Sequence, residues 1–124
     1  MFNGRNLDDW RPSENKTSWK LSDGVLAADG PRSHLFYGGP VRNADFKNFE
    51  LEVETLAHPQ CNSGVYFHTA YQERGFPIKG FEIQVNNTYT GEGGSYRERK
   101  KTGSLYGLRN VYKKFIPDDR WFKI

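Results

Sequence analysis

Phe81-Glu82-Ile83-Gln84-Val85-Asn86 is the stretch on which the fold turns. Its apolar and polar side chains alternate without a break, the period of a strand with one face on a core and the other turned away. Upstream, Val65-Tyr66-Phe67-His68 repeats the pattern. Phe49-Glu50-Leu51-Glu52-Val53-Glu54 carries it so strictly that Phe49, Leu51 and Val53 must share one face and the glutamates the other, wet one. Nearer the N-terminus, Ser18 to Leu21 and Val25 to Ala28 flank Ser22-Asp23-Gly24, and Asp-Gly supplies the positive φ angles of a tight hairpin turn. Ser104 to Val111 is a further candidate strand, and Trp121-Phe122-Lys123-Ile124 starts another. Aromatic and β-branched residues outweigh strong helix formers, and no amphipathic helix of useful length competes. Short strands separated by turn signals predict an all-β sandwich or barrel.

The chain has 124 residues, enough for one domain and too few for two with cores of their own. Hydrophobic residues make up 35% and mean hydropathy is -0.84, so no run of about 20 apolar residues is available to span a bilayer. Aromatics reach 15%, more than disordered chains carry, so this chain should fold. A net charge of +3 falls short of the concentrated basic footprint of nucleic-acid binding. Cys61 is the single cysteine and zinc spacings are absent, which leaves no ligand set for structural zinc and the redox compartment open. No signal-peptide pattern is present in the chain.

Chemistry is sought first on the polar side of the strand from Phe81 to Asn86. There Glu82, Gln84 and Asn86 stand in a row about 7 Å apart. Carboxylate and amide groups at that spacing can bond several sugar hydroxyls, and a carboxylate can act as a general base. The alternative is an ordinary exposed face of a half-buried sheet. Asn62-Ser63-Gly64 leads into the strand whose outward face carries Tyr66 and His68, a ring and an imidazole able to line a cleft. His34 and His58 have no patterned company and read as surface residues. In Thr102-Gly103-Ser104-Leu105-Tyr106-Gly107 the glycines admit a close ligand or mark bulges. Trp10 and Trp19 are sugar platforms or core residues. The connection between Asn86 and Thr102, with Gly91, Gly93, Gly94 and the run Arg97-Glu98-Arg99-Lys100-Lys101, is long enough to be functional or mobile, and its charge run reads as a solvated loop. Signatures of serine hydrolases, P-loop proteins, zincins and dinucleotide binders are absent. Glu82 has no second carboxylate at the spacing a jelly-roll glucanase uses.

Taken in order, these pieces resemble the 3-keto-disaccharide hydrolase domain family, a concanavalin A-like lectin/glucanase jelly roll. The resemblance is carried by Phe2-Asn3-Gly4-Arg5-Asn6-Leu7-Asp8-Asp9-Trp10, by Trp19 with Asp23-Gly24-Val25-Leu26, and by Asp45-Phe46-Lys47-Asn48-Phe49-Glu50-Leu51. Asn62-Ser63-Gly64-Val65-Tyr66-Phe67-His68, Gly80-Phe81-Glu82-Ile83-Gln84-Val85 and Thr102-Gly103-Ser104-Leu105-Tyr106-Gly107 complete it. The stretch from Asn87 to Lys101 lies outside the matched motifs. The resemblance implies a single jelly-roll β-sandwich domain over residues 1–124, equivalent to the N-terminal two-thirds of the family domain and incomplete at its C-terminus.

For function, the resemblance implies cleavage of glycosides oxidised at C3, with Glu82 or His68 removing the C2 proton. Asn62, Tyr66, Gln84 and Tyr106 would bind the carbohydrate substrate, and a donor group or a divalent metal would stabilise the enolate. The rival reading is a non-catalytic, lectin-like carbohydrate-binding module, and a scaffold unit is the third. The resemblance further implies a periplasmic or extracellular setting. Open edges of an incomplete jelly roll would invite a second chain to pair, giving an oligomer.

Overall fold

The computed structural model of the chain describes residues 1–91 and 93–124, so position 92 of the glycine-rich connection lies outside the described residues. The chain is all-β. Among the described residues the strands are β1 (Trp10–Pro12), β2 (Trp19–Ser22), β3 (Val25–Ala28), β4 (Leu35–Tyr37), β5 (Glu54–Leu56), β6 (Ser63–Phe67), β7 (Phe81–Val85) and β8 (Trp121–Lys123). They pair antiparallel as β1-β4, β2-β3, β5-β8 and β6-β7, with a 3-10 turn at Lys16–Ser18 and a turn at Val41–Ala44 whose Arg42, Asn43 and Ala44 are left-handed. No helix among the described residues is long and apolar enough to cross a membrane.

The chain divides into two compact units, the first made of Met1–Asn48 and Thr69–Lys79. Here the predicted hairpin forms as β2 and β3. Ser22 pairs with Val25, leaving Asp23 (φ 50) and Gly24 (φ 76) as the two-residue turn their positive angles suit. Both tryptophans of this unit are engaged by the protein, Trp10 edge-on to Tyr37 at 5.2 Å and Trp19 donating from Nε1 to Ser33 Oγ at 2.8 Å. His34, expected at the surface, is half-buried instead, its ring 5.7 Å from that of Phe76 and 6.3 Å from that of Phe36.

The second unit is Phe49–His68 with Gly80–Ile124. Its centre is the β6-β7 ladder, in register from Ser63 opposite Val85 to Phe67 opposite Phe81. The alternation from Phe49 to Glu54 is realised differently from expectation. The regular strand starts only at Glu54, where β5 meets β8, with Val53 adding reciprocal backbone bonds to Ile124 at 2.9 and 3.0 Å. The face assignment nevertheless holds, because Phe49, Leu51 and Val53 gather with Val65, Phe67, Ile83 and Ile124 around an apolar pocket, while Glu50, Glu52 and Glu54 are exposed.

The expected strand from Ser104 to Val111 does not form. The segment instead lies along β7 as an irregular third chain: Tyr106 N–H bonds Glu82 C=O, Gln84 N–H bonds Ser104 C=O, and Gly103 N–H bonds Gln84 C=O. Two residues, Gly103 and Ser104, thus oppose the single Gln84, a bulge that Gly103 allows with its φ of 88°. Beyond it the chain turns back within Leu105 to Arg109, whose N–H bonds Leu105 C=O at 2.9 Å.

This covering segment corrects the expectation for β7. Its polar side, predicted to face away, is covered as well as the apolar one: Gln84 is 2% exposed and Asn86 fully buried, beside Val85 at 3% on the other side. Polar groups tolerate burial only when bonded. Asn86 meets the condition, its amide nitrogen donating to Tyr89 C=O and Lys100 C=O at 3.1 Å each and its backbone N–H donating to Thr102 Oγ1 at 2.9 Å.

Candidate functional site

The β6-β7 register sets Tyr66 directly opposite Glu82. On one face of an antiparallel pair such neighbours touch, and the Tyr66 hydroxyl donates to Glu82 Oε2 at 2.9 Å. Room for the carboxylate comes from Gly64, which shares the Tyr66 face of β6. A Cβ at Gly64 would lie 2.7 Å from Glu82 Cγ and 2.8 Å from Cδ, and closer still to Oε1. The absent side chain therefore lets Glu82 lie across the neighbouring strand. Burial raises the Glu82 pKa; the Tyr66 hydrogen bond and the positive charge of Lys100 oppose the rise, and the negative charge of Glu98 adds to it. Burial and the adjoining carboxylate also push Tyr66 upward, so its hydroxyl stays protonated as a donor.

Glu98 is the residue the sequence did not reveal. The run Arg97 to Lys101 is not simply a solvated loop: Arg97 and Arg99 are exposed, but Glu98 is 4% exposed and Lys100 turns inward with it. Glu98 Oε2 accepts from Tyr106 at 2.7 Å and from Tyr96 at 2.8 Å, while Oε1 accepts the Lys100 N–H at 2.8 Å and faces its Nζ at 3.6 Å. Burial alone would raise the Glu98 pKa, but these donors and the Lys100 charge outweigh it and hold the group below its ordinary value. Lys100 Nζ also stands 4.3 Å over the Tyr106 ring and donates to the Tyr96 hydroxyl at 3.2 Å. The Tyr106 phenol is pushed up by burial and by its two hydroxyl contacts. Since Tyr106 N–H bonds Glu82 C=O at 2.9 Å, the second carboxylate is anchored to the strand that carries the first.

Of the residues singled out from the sequence, Glu82 pairs with Tyr66 and Tyr106 with Glu98, the two groups being joined through the Tyr106 N–H to Glu82 C=O bond. Gln84 and Asn62 form a further pair, Gln84 Nε2 donating to the exposed Asn62 Oδ1 at 3.0 Å. His68 joins none of these. At φ 54 it leaves the strand, and its ring rests 5.4 Å from Phe49 and 5.6 Å from Phe67, on the apolar side of the ladder instead of beside Tyr66. Alternation could have exposed the missed residues, since Tyr96, Glu98 and Lys100 recur at a spacing of two from just before the charge run into it.

Chemically, the site offers two carboxylates whose environments drive their proton affinities apart, the arrangement that separates a proton acceptor from a fixed charge. The three tyrosine hydroxyls give their hydrogens to Glu82 and Glu98, so the ammonium of Lys100, which spends one on Tyr96, is the donor left for a developing negative charge. Among the described residues no group of three or more His, Cys, Asp and Glu side chains is placed to hold a metal ion, so the residues here do not make a ligand set for the divalent metal left open by the sequence.

Comparison with known proteins adds one match. The family model described as a 3-keto-alpha-glucoside-1,2-lyase-like domain covers residues 1–124. No curated protein matches the chain, and no solved structure does.

Proposed function

We propose, from the premise that this chain belongs to the 3-keto-alpha-glucoside-1,2-lyase-like domain family, that it cleaves 3-keto-glycosides by elimination, with Glu82 as the base. The observation that carries this reading is the half-buried Glu82 carboxylate, its proton affinity raised by burial, bonded by Tyr66 and lying over Gly64. A base with a raised pKa binds the abstracted proton more strongly near neutral pH.

A ketone at C3 acidifies the C2 proton and places the glycosidic oxygen on C1 β to the carbonyl. Glu82 takes that proton, and the C–H electron pair moves into a C2–C3 double bond, leaving negative charge on the C3 oxygen. Lys100, whose ammonium keeps hydrogens beyond the one given to Tyr96, is the group at hand to stabilise that charge. The enolate then expels the C1 oxygen, which takes up a proton, and a C1–C2 double bond forms. Water adding across this bond returns a free 3-keto sugar, so the net change is hydrolysis. Asn62, oriented by Gln84, is assigned to the sugar hydroxyls. His68, the other base inferred from the sequence, lies against Phe49 and Phe67, so Glu82 takes the role. The same reading takes the four antiparallel ladders as parts of a concanavalin A-like jelly roll, with residues 1–124 in one domain.

The test follows a 3-keto-glucoside and its unoxidised parent by NMR with the purified chain, with and without a chelator, and then with Glu82→Gln. Cleavage of the keto substrate alone, lost in Glu82→Gln, is the expected result. Binding that survives in Glu82→Gln, with no turnover by the parent chain, would replace this reading with the lectin-like one.

A further inference from the structure

We infer that the cleft adjoining Glu98 is a subsite for an anionic sugar, one carrying a carboxylate, sulfate or phosphate group; the inference rests on the sugar-cleaving reading above. The cleft is open to solvent, measures about 430 Å³ and is lined by Thr90, Glu98, Arg99, Lys101 and Tyr112. That volume lies within the range of small-molecule sites. Glu98 is a shared wall. Its carboxylate belongs to the Tyr96-Tyr106-Lys100 network, so the cleft shares one wall with that network.

The remaining lining suits a negative charge. The Arg99 side chain is exposed and makes no hydrogen bond or ion pair with any described residue. Lys101 Nζ donates to Tyr89 C=O at 2.8 Å and to Asn86 Oδ1 at 3.5 Å, both neutral acceptors, and meets no carboxylate among the described residues. The one acid among the described lining residues, Glu98, has its charge offset by Lys100 at 3.6 Å and its oxygens occupied by two phenols and an amide. Among the described residues, two cations are thus left without a counter-charge in a cleft whose described acid is already matched. A guanidinium is suited to a carboxylate, sulfate or phosphate because it can donate two parallel bonds to such a group.

Tyr112 supplies the part that recognises a sugar. Its ring is 65% exposed, and Asn110 Nδ2 donates to its hydroxyl at 3.3 Å, which steadies it. An exposed ring of this kind offers an apolar face to pyranose C–H groups while its polar edge stays wet. The Thr90 side chain is available for a hydroxyl, its backbone C=O being engaged by Glu98 N–H at 3.0 Å.

The experiment titrates the intact chain with methyl glucoside, methyl glucuronide, glucose 6-sulfate and glucose 6-phosphate, followed by calorimetry. Anionic sugars should bind about tenfold tighter than methyl glucoside, as one charge-assisted guanidinium contact predicts. The preference should vanish in Arg99→Ala and in about 1 M salt, where the Debye length is about 3 Å. Tyr112→Ala should weaken all four sugars alike, and the ranking among anions identifies the source of the charge. Equal affinity for neutral and charged sugars, a preference indifferent to Arg99→Ala, or no binding of any sugar would overturn the subsite. Because the probes are unoxidised, the readout is independent of cleavage. An anion preference without turnover of 3-keto-glucosides removes the reaction and keeps the subsite, and turnover without the preference does the reverse.

Discussion

Glu82 and Glu98 are both carboxylates withdrawn from water, yet their proton affinities move in opposite directions. The difference lies in their donors. Glu98 collects two phenols, an amide and a nearby ammonium, whereas Glu82 has the Tyr66 hydroxyl to set against burial and against the charge of Glu98. Consequences for the pH-rate profile follow with definite signs. The acid limb, where Glu82 must lose its proton to act as a base, should lie above the ordinary carboxylate value. Tyr66→Phe removes a bond to the ionised form and should move that limb further up. Glu98→Gln removes the repelling charge and leaves Lys100 unmatched, so the limb should move down. Profiles of kcat/KM for the two variants that shift in one direction would sink this account of Glu82. Glu82→Gln itself should cost about a hundredfold or more in turnover, the usual range for a lost general base. Glu82 was legible in the sequence because its strand announces itself; Glu98 was hidden because cations surround it.

At the scale of elements, the bulge at Gly103-Ser104 and the open face at Gly64 do the positioning. Ser104 is fully buried, its hydroxyl donating to Lys101 C=O at 2.7 Å and accepting Val111 N–H at 2.9 Å. Ser104→Ala leaves that N–H without its partner and should cost about 1–3 kcal/mol, read as a lower urea midpoint. Gly64→Ala acts differently. The added Cβ displaces the Glu82 side chain without touching the β6-β7 backbone ladder, so turnover should fall by about 10- to 100-fold as for a misplaced catalytic group, with circular dichroism unchanged. Retained turnover in Gly64→Ala would show that the Glu82 carboxylate does not need its place across β6. Several elements could be read from alternation and turn chemistry, as with β2, β3, β6 and β7. The irregular third chain could not, because its bonds to β7 come from a bulge and a turn that break the period.

For the whole molecule, the titrating groups predict how stability responds to acid. Burial lowers the His34 pKa, with Arg32 adding to the effect. The unfolded chain therefore takes up that proton first, and stability should begin to fall as pH drops through about 6.5, the value for a free imidazole. Glu98, held low in the folded state, contributes stability above the unfolded carboxylate value of about 4.3 and loses it as pH falls further, through its folded pKa. Urea midpoints measured from neutral to acid pH should show both declines, and His34→Gln should flatten the first. The sequence by itself determined the all-β class, the strands that carry Tyr66 and Glu82, and the family, because period two, turn residues and ordered motifs are local properties of the chain. Only the tertiary structure decided that the polar face of β7 is covered too, that the Glu98 cluster is tied to the Glu82 strand, and that His68 stands apart. Alternation says which side chains share a face, but what covers that face depends on where a distant segment returns.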